Sequence, residues 1–146
     1  MNRLSVFLVS LAIISVILFA LPEISYSISE TETTVKLYQM KHPTFNGGQP
    51  IVFDGKLTTV DGKIIPNAEI VITSDGPCPV DGVIAIGVTD KHGRFRIYTL
   101  TQVWDPSDNL ITAHAKFLGD ETYSPSKSHG QPIVVYPTAN TERCVN

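Results

Sequence analysis

The chain has 146 residues, enough for one domain and not two. Hydrophobic residues make up 42% and charged residues 17%, with 10 Gly and 10 Pro, so there is apolar material for one core and no collagen-like or low-complexity bias. The net charge of −3 argues against nucleic acid as a main partner, because phosphate binding needs a surplus of Lys and Arg.

Arg3 precedes an uncharged run over residues 4–21, broken only by Ser5, Ser10 and Ser15 and ended by Pro22 and Glu23. As a helix this run approaches the hydrocarbon thickness of a membrane, about 30 Å. Ser25 and Ser27 are small residues in the −3 and −1 places of a signal-peptidase site, with Ala20 as a second −1 residue. Residues 1–27 are therefore expected to be a signal peptide, or a membrane anchor if uncleaved. Either way the remainder is expected outside the cytoplasm, secreted or held at the membrane through residues 4–21. No Cys lies near the end of the run, which argues against a lipoprotein anchor, and no second run of that length follows.

Residues 28–48 are expected to be a polar linker and a first strand, and 49–146 the folded domain. Beyond the linker, Asx-Gly pairs at Asn46-Gly47, Asp61-Gly62, Asp75-Gly76 and Asp81-Gly82 mark tight turns, and Asp90 to Gly93 marks another. Between them, alternation predicts strands at 34–40, 51–60, 68–73, 83–89, 94–100, 110–117 and 132–136. In the second, Ile51, Phe53, Gly55 and Leu57 share one face, and Asp54, Lys56 and Thr58 the other. In the fifth, Phe95 and Ile97 point inward and Arg94 and Arg96 outward. The strand at 83–89 is apolar on both faces, which suggests a central strand or a switch between sheets. No helical period follows residue 27. About seven strands of this spacing predict an all-β, two-sheet antiparallel sandwich behind the hydrophobic N-terminal helix.

Cys78 and Cys144 are the only cysteines, and in an oxidising compartment they are expected to form one disulfide. In the motif Thr89-Asp90-x-x-Gly93, Asp90 is suited to accept from backbone amides and Gly93 to take a positive φ, after which Phe95 re-enters the core. Gly119-Asp120 ends a strand in the same way. Tyr123 is expected to pack its ring under the turn with its hydroxyl on backbone, like a tyrosine corner.

The segments Gly55-Lys-Leu57, Gly62-Lys-Ile-Ile-Pro66-Asn-Ala68-Glu-Ile70 and Thr89-Asp90-Lys-His-Gly93-Arg-Phe95 resemble the carboxypeptidase regulatory-like and bacterial Ig-like modules. The stretch from Ala115-Lys-Phe117 through Gly119-Asp120 and Tyr123 to Ser126-Lys-Ser128 is similar to the ending of prokaryotic Ig-like surface repeats. The resemblance covers about residues 50–130. It implies an Ig-like (prealbumin-like) β-sandwich in a secreted or surface protein, structural or adhesive and not catalytic. The chain departs from it in carrying one copy, in the Cys78-Pro79-Val80 insertion and in the loop around Trp104.

Few residues suggest chemistry. Ser128 and His129 are neighbours, but successive strand residues face opposite ways. There is no G-x-S-x-G, H-E-x-x-H or Gly-rich phosphate loop, so no enzyme and no cofactor are expected. His42, His92, His114 and His129 are scattered, though Met40 and His42 would share a strand face. A cupredoxin-type copper site needs a His and a Met soon after a C-terminal Cys, and only Val145 and Asn146 follow Cys144. Loop acids at Asp75, Asp81, Asp90, Asp105, Asp108, Asp120 and Glu121 could hold Ca²⁺ at one end of a sandwich, but no spaced calcium motif is present. The loop 101–109 offers Trp104 with Asp105 and Asp108, either as an exposed contact for a protein or glycan or with Trp104 capping the core. The leading expectation is a surface module that works by contact; the alternative is a small-ligand or metal-binding sandwich using Ca²⁺ or histidines.

Overall fold

The structure, a computed structural model, describes residues 29–139. Nine strands form: β1 (Thr33–Leu37), β2 (Thr44–Asn46), β3 (Pro50–Thr59), β4 (Glu69–Ser74), β5 (Val83–Val88), β6 (Arg94–Leu100), β7 (Leu110–Phe117), β8 (Ser126–Lys127) and β9 (Gln131–Tyr136). They pair as a three-stranded sheet, β1-β3-β6, and a six-stranded sheet, β2-β9-β7-β4-β5, with β8 on β7. An antiparallel sheet with one apolar face must hide that face, and here the two sheets hide theirs against each other. Phe53 and Leu57 of β3 meet Ile70 and Ile72 of β4, Ala113 and Ala115 of β7 and Ile133 of β9 in one core, all at 0% exposure. All-β architecture in two sheets, with β1, β3 and β6 opposed to β4, β7 and β9, is consistent with the expected Ig-like sandwich.

The structure departs from the expected strand list in three places. First, the strand expected at 34–40 ends at Leu37 as β1, antiparallel to β3, and an unexpected β2 follows that crosses to pair with β9 in parallel, Phe45 opposite Val135. Pro43 sits at the break and its carbonyl accepts from the Val134 amide at 2.8 Å. β1 and β2 are thus parts of the sandwich, within the segment expected as linker and first strand. The sheet set is antiparallel except for this pair.

Second, β8 is a two-residue strand that alternation cannot register. Third, β5 is not central. It is the edge of the six-stranded sheet, with Ile86 and Val88 exposed by 58% and 64% on its outer face. Immediately after it, the Asp90–Gly93 turn carries the chain across to β6 in the other sheet, so the expected switch follows the strand.

The central position belongs to β4, flanked by β5 and β7. There Val71, on the outer face, is covered by its register partners Ile86 and Lys116 and is only 6% exposed. The core is otherwise as alternation placed it, and Phe95, Ile97 and Phe117 are buried.

The expected N-terminal helix, and the cleavage site within residues 1–27, lie outside the described residues. Among the described residues no helix is long and apolar enough to cross a membrane.

Candidate functional site

The turns use their side chains as anticipated. Asp90 Oδ1 accepts from the amides of His92 at 2.7 Å and Arg94 at 2.9 Å, and Gly93 takes φ +70°. A Cβ at residue 93 would stand 2.7 Å from the Leu57 carbonyl oxygen, so both conformation and space require glycine there. Hydrogen bonds from the Arg94 and then the His92 amide hold the Asp90 carboxyl below its ordinary value of 3.8. Asp120 Oδ1 accepts from the Thr122 and Tyr123 amides, after Gly119 at φ +83°.

Thr89, 1% exposed, donates to the Ile65 carbonyl at 2.8 Å and accepts from the Ala68 amide at 2.9 Å, tying the 64–68 loop to the end of β5. Tyr123 packs on the core, but its hydroxyl makes no hydrogen bond to a described residue; its backbone carries the turn instead, with its carbonyl accepting from Asp120 N at 2.9 Å. The tyrosine-corner bond is absent among the described residues.

Four more of the loop acids also accept from backbone amides. Asp75 accepts from Thr112 N at 2.5 Å, Asp81 from Val83 N at 3.0 Å and Asp108 from Leu110 N at 2.9 Å. Asp105 accepts from the Ser107 hydroxyl and amide, and these bonds, the hydroxyl first, hold its carboxyl below 3.8. Asp81, Asp105 and Asp108 each close their own turn, while Asp75 reaches across to the β7 backbone at Thr112. Among the described residues, no group of three or more His, Cys, Asp and Glu is gathered for a metal.

Trp104 corrects the contact reading of its loop. It is 3% exposed and belongs to the core cluster, with Val103 buried beside it. The loop is pinned at both ends: Thr101 Oγ1 donates to the Asn46 and Gln49 carbonyls, and the Asn109 carbonyl accepts from Val135 N at 2.9 Å. So held, the loop lies over the end of the sandwich, where burying the large indole is favourable. Trp104 is thus the core-capping residue and not an exposed anchor.

Ser128 is also occupied. Its hydroxyl donates to the His129 carbonyl at 2.8 Å and accepts from Ala115 N at 3.0 Å. His114 Nδ1 lies 3.2 Å from the Ser128 carbonyl oxygen, on backbone and not on the hydroxyl. His42, His92 and His129 are exposed, and β1 ends at Leu37, before Met40 and His42. Cys78 is buried at 1%, and there is no free cysteine among the described residues. Cys144 lies outside the described residues.

What stays available is the outer face of the three-stranded sheet. Register places its side chains in rows across the strands. Lys36 of β1 is opposite Lys56 of β3, which is opposite Arg94 of β6. The next row sets Asp54 opposite Arg96, with the Tyr38 amide donating to the Asp54 carbonyl at 2.8 Å; the row after sets Val52 opposite Tyr98.

Arg96 Nε donates to Asp54 Oδ1 at 2.7 Å, and its terminal nitrogen to Oδ2 at 3.2 Å. This raises the Arg96 pKa above its ordinary value. It is the one ion pair among the described residues, so Lys36 and Lys56 have no acidic partner there, while Arg94 lies in the field of the Asp90 carboxylate of the preceding turn. Tyr38 and Tyr98 are 48% and 64% exposed. A groove of about 710 Å³ opens along this face toward the Asp90 turn, lined by Tyr38, Asp54, Val88, Asp90, Arg94 and Arg96. Alternation points Asp54, Lys56, Arg94 and Arg96 outward, but only register shows that three cations share a row.

No family model matches the chain, and no curated protein matches it. Among solved structures it is similar to the D00-D0 domain of Intimin, with 11% identity and a TM-score of 0.45, over 75% of this chain and 51% of that one. The chain therefore spans about half the length of that structure.

Proposed function

We propose that the chain is an exported, non-catalytic Ig-like module that acts by contact at the cell surface, structural or adhesive. The observation that carries this reading is where the reactive side chains go. Asp81, Asp90, Asp105, Asp108 and Asp120 accept from their own turns, Asp75 accepts from the β7 backbone at Thr112, and the Ser128 hydroxyl is held by backbone. Side chains committed to holding loops leave the surface itself as the working part. Export is supported by Arg3 and the uncharged run over residues 4–21, and the same compartment favours a Cys78–Cys144 disulfide.

Surface labelling of intact cells followed by fractionation tests the reading. The protein is expected in the labelled fraction, either starting at Ile28 after cleavage or retaining Met1 on membranes. A cytoplasmic location overturns export. A hydrolase or oxidase activity that co-purifies with the protein and vanishes on changing one histidine overturns the non-catalytic reading.

A further inference from the structure

We infer that the outer face of the β1-β3-β6 sheet binds an acidic polysaccharide, its Lys36–Lys56–Arg94 row meeting carboxylates and its exposed tyrosines stacking on sugar rings. The inference rests on the contact reading above and names the partner for that surface. The charge distribution is the first argument. The chain is net negative at −3, yet this one face carries Lys36, Lys56, Arg94 and Arg96 against Asp54, with Asp90 at its edge beside Arg94. Asp54 is already occupied by Arg96.

The second argument is energetic. Like charges directly opposite on neighbouring strands are destabilising, and here two successive register pairs, Lys36 with Lys56 and Lys56 with Arg94, are both like-charged. Strands lie about 4.8 Å apart, so the row sets three cations at that step in a line across the sheet. An anionic chain laid along the line relieves both repulsions at once.

The third argument separates glycan from other polyanions. β3 is hydrogen-bonded on both sides, so the middle of this face offers side chains and no free backbone edge to an acidic peptide. Tyr98 and Tyr38, beside the cations, present half-exposed or freer rings of the kind that pack on apolar faces while keeping a polar tip. Nucleic acid has the charge but not the compartment.

The test is direct binding of the full chain to polygalacturonate at low ionic strength, beside neutral dextran, polyglutamate and oligothymidylate. Polygalacturonate is expected to bind, dextran not to, and the interaction to weaken as salt rises. Lys36→Gln, Lys56→Gln and Arg94→Gln combined should weaken it by about tenfold or more, roughly 1.4 kcal/mol, with an unchanged or higher melting temperature because the row's repulsion is gone. Tyr98→Ala should weaken it several-fold.

Equal or tighter binding of polyglutamate or oligothymidylate overturns the assignment to a glycan, and unchanged binding by the triple variant overturns the site. A surface-located protein that ignores polygalacturonate overturns this inference alone, whereas a cytoplasmic protein overturns the contact reading beneath it.

Discussion

Asp90 shows how much a single side chain does in this molecule. Its carboxylate closes the turn that passes the chain from one sheet to the other, and the amides of Arg94 and His92 favour its charged form. A carboxyl whose pKa is depressed on folding contributes stability above its unfolded value, and that contribution is lost as pH falls through the folded value. The melting temperature should therefore drop on acidification below about pH 4, in part through Asp90. Asp90→Asn keeps an acceptor for the amides but removes the titration. Its melting-temperature profile should be flatter on the acid side than that of the parent, which a pH series by circular dichroism will read. An identical acid limb in the two proteins counts against the role. The turn was legible in the sequence because Asp and Gly at this spacing have a local cause. Trp104 was not, because one aromatic residue in a loop has no period to show which way it faces. Only the pinning of Thr101 and Asn109, by partners far away in sequence, sends it inward.

At the scale of the element, alternation located the long strands and their buried faces, because a period of two is written in each strand's own residues. It could not locate β2, whose three residues depend on a parallel partner in β9, nor tell that the apolar β5 lies at an edge. It also placed Gly55 on the inner face of β3 without a reason, and register supplies one. Gly55 lies opposite Phe95, and a Cβ there would stand 2.1 Å from Phe95 Cζ and 2.2 Å from the Lys36 carbonyl oxygen. The Phe95 ring lies over the glycine and fills the space a side chain would occupy. One contact is with backbone, so moving the ring alone does not clear the clash. Gly55→Ala is expected to destabilise by about 2 to 3 kcal/mol, the upper part of the range for overpacked cores. Urea unfolding measures this, and a loss under about 0.5 kcal/mol would show that the strand shifts freely to admit the methyl. The Lys36–Lys56–Arg94 row has the same history: Lys56 and Arg94 read as outward, yet the row exists only through the pairing of three strands.

For the whole molecule, the question is what joins the ends of so long-range a fold. The first described strand pairs with β3, β2 pairs with the last, and the Thr31 amide donates to the Thr122 carbonyl at 2.8 Å, so early and late segments close against each other. Folding must bring distant segments together before they are rewarded. A covalent link between Cys78 and Cys144 would remove part of that cost from the unfolded chain, and Cys78 is buried in the connection between β4 and β5. For a loop of that length, chain entropy assigns the bond roughly 4 kcal/mol less any native strain. A non-reducing peptide map of protein from its native compartment should show the two cysteine peptides joined, and reduction under native conditions should lower the melting temperature by several degrees or more. Two alkylatable thiols in the unreduced native protein would sink the bond, and the early and late segments would then be held by the β1, β2 and β9 pairings and the Thr31–Thr122 contact without a covalent link.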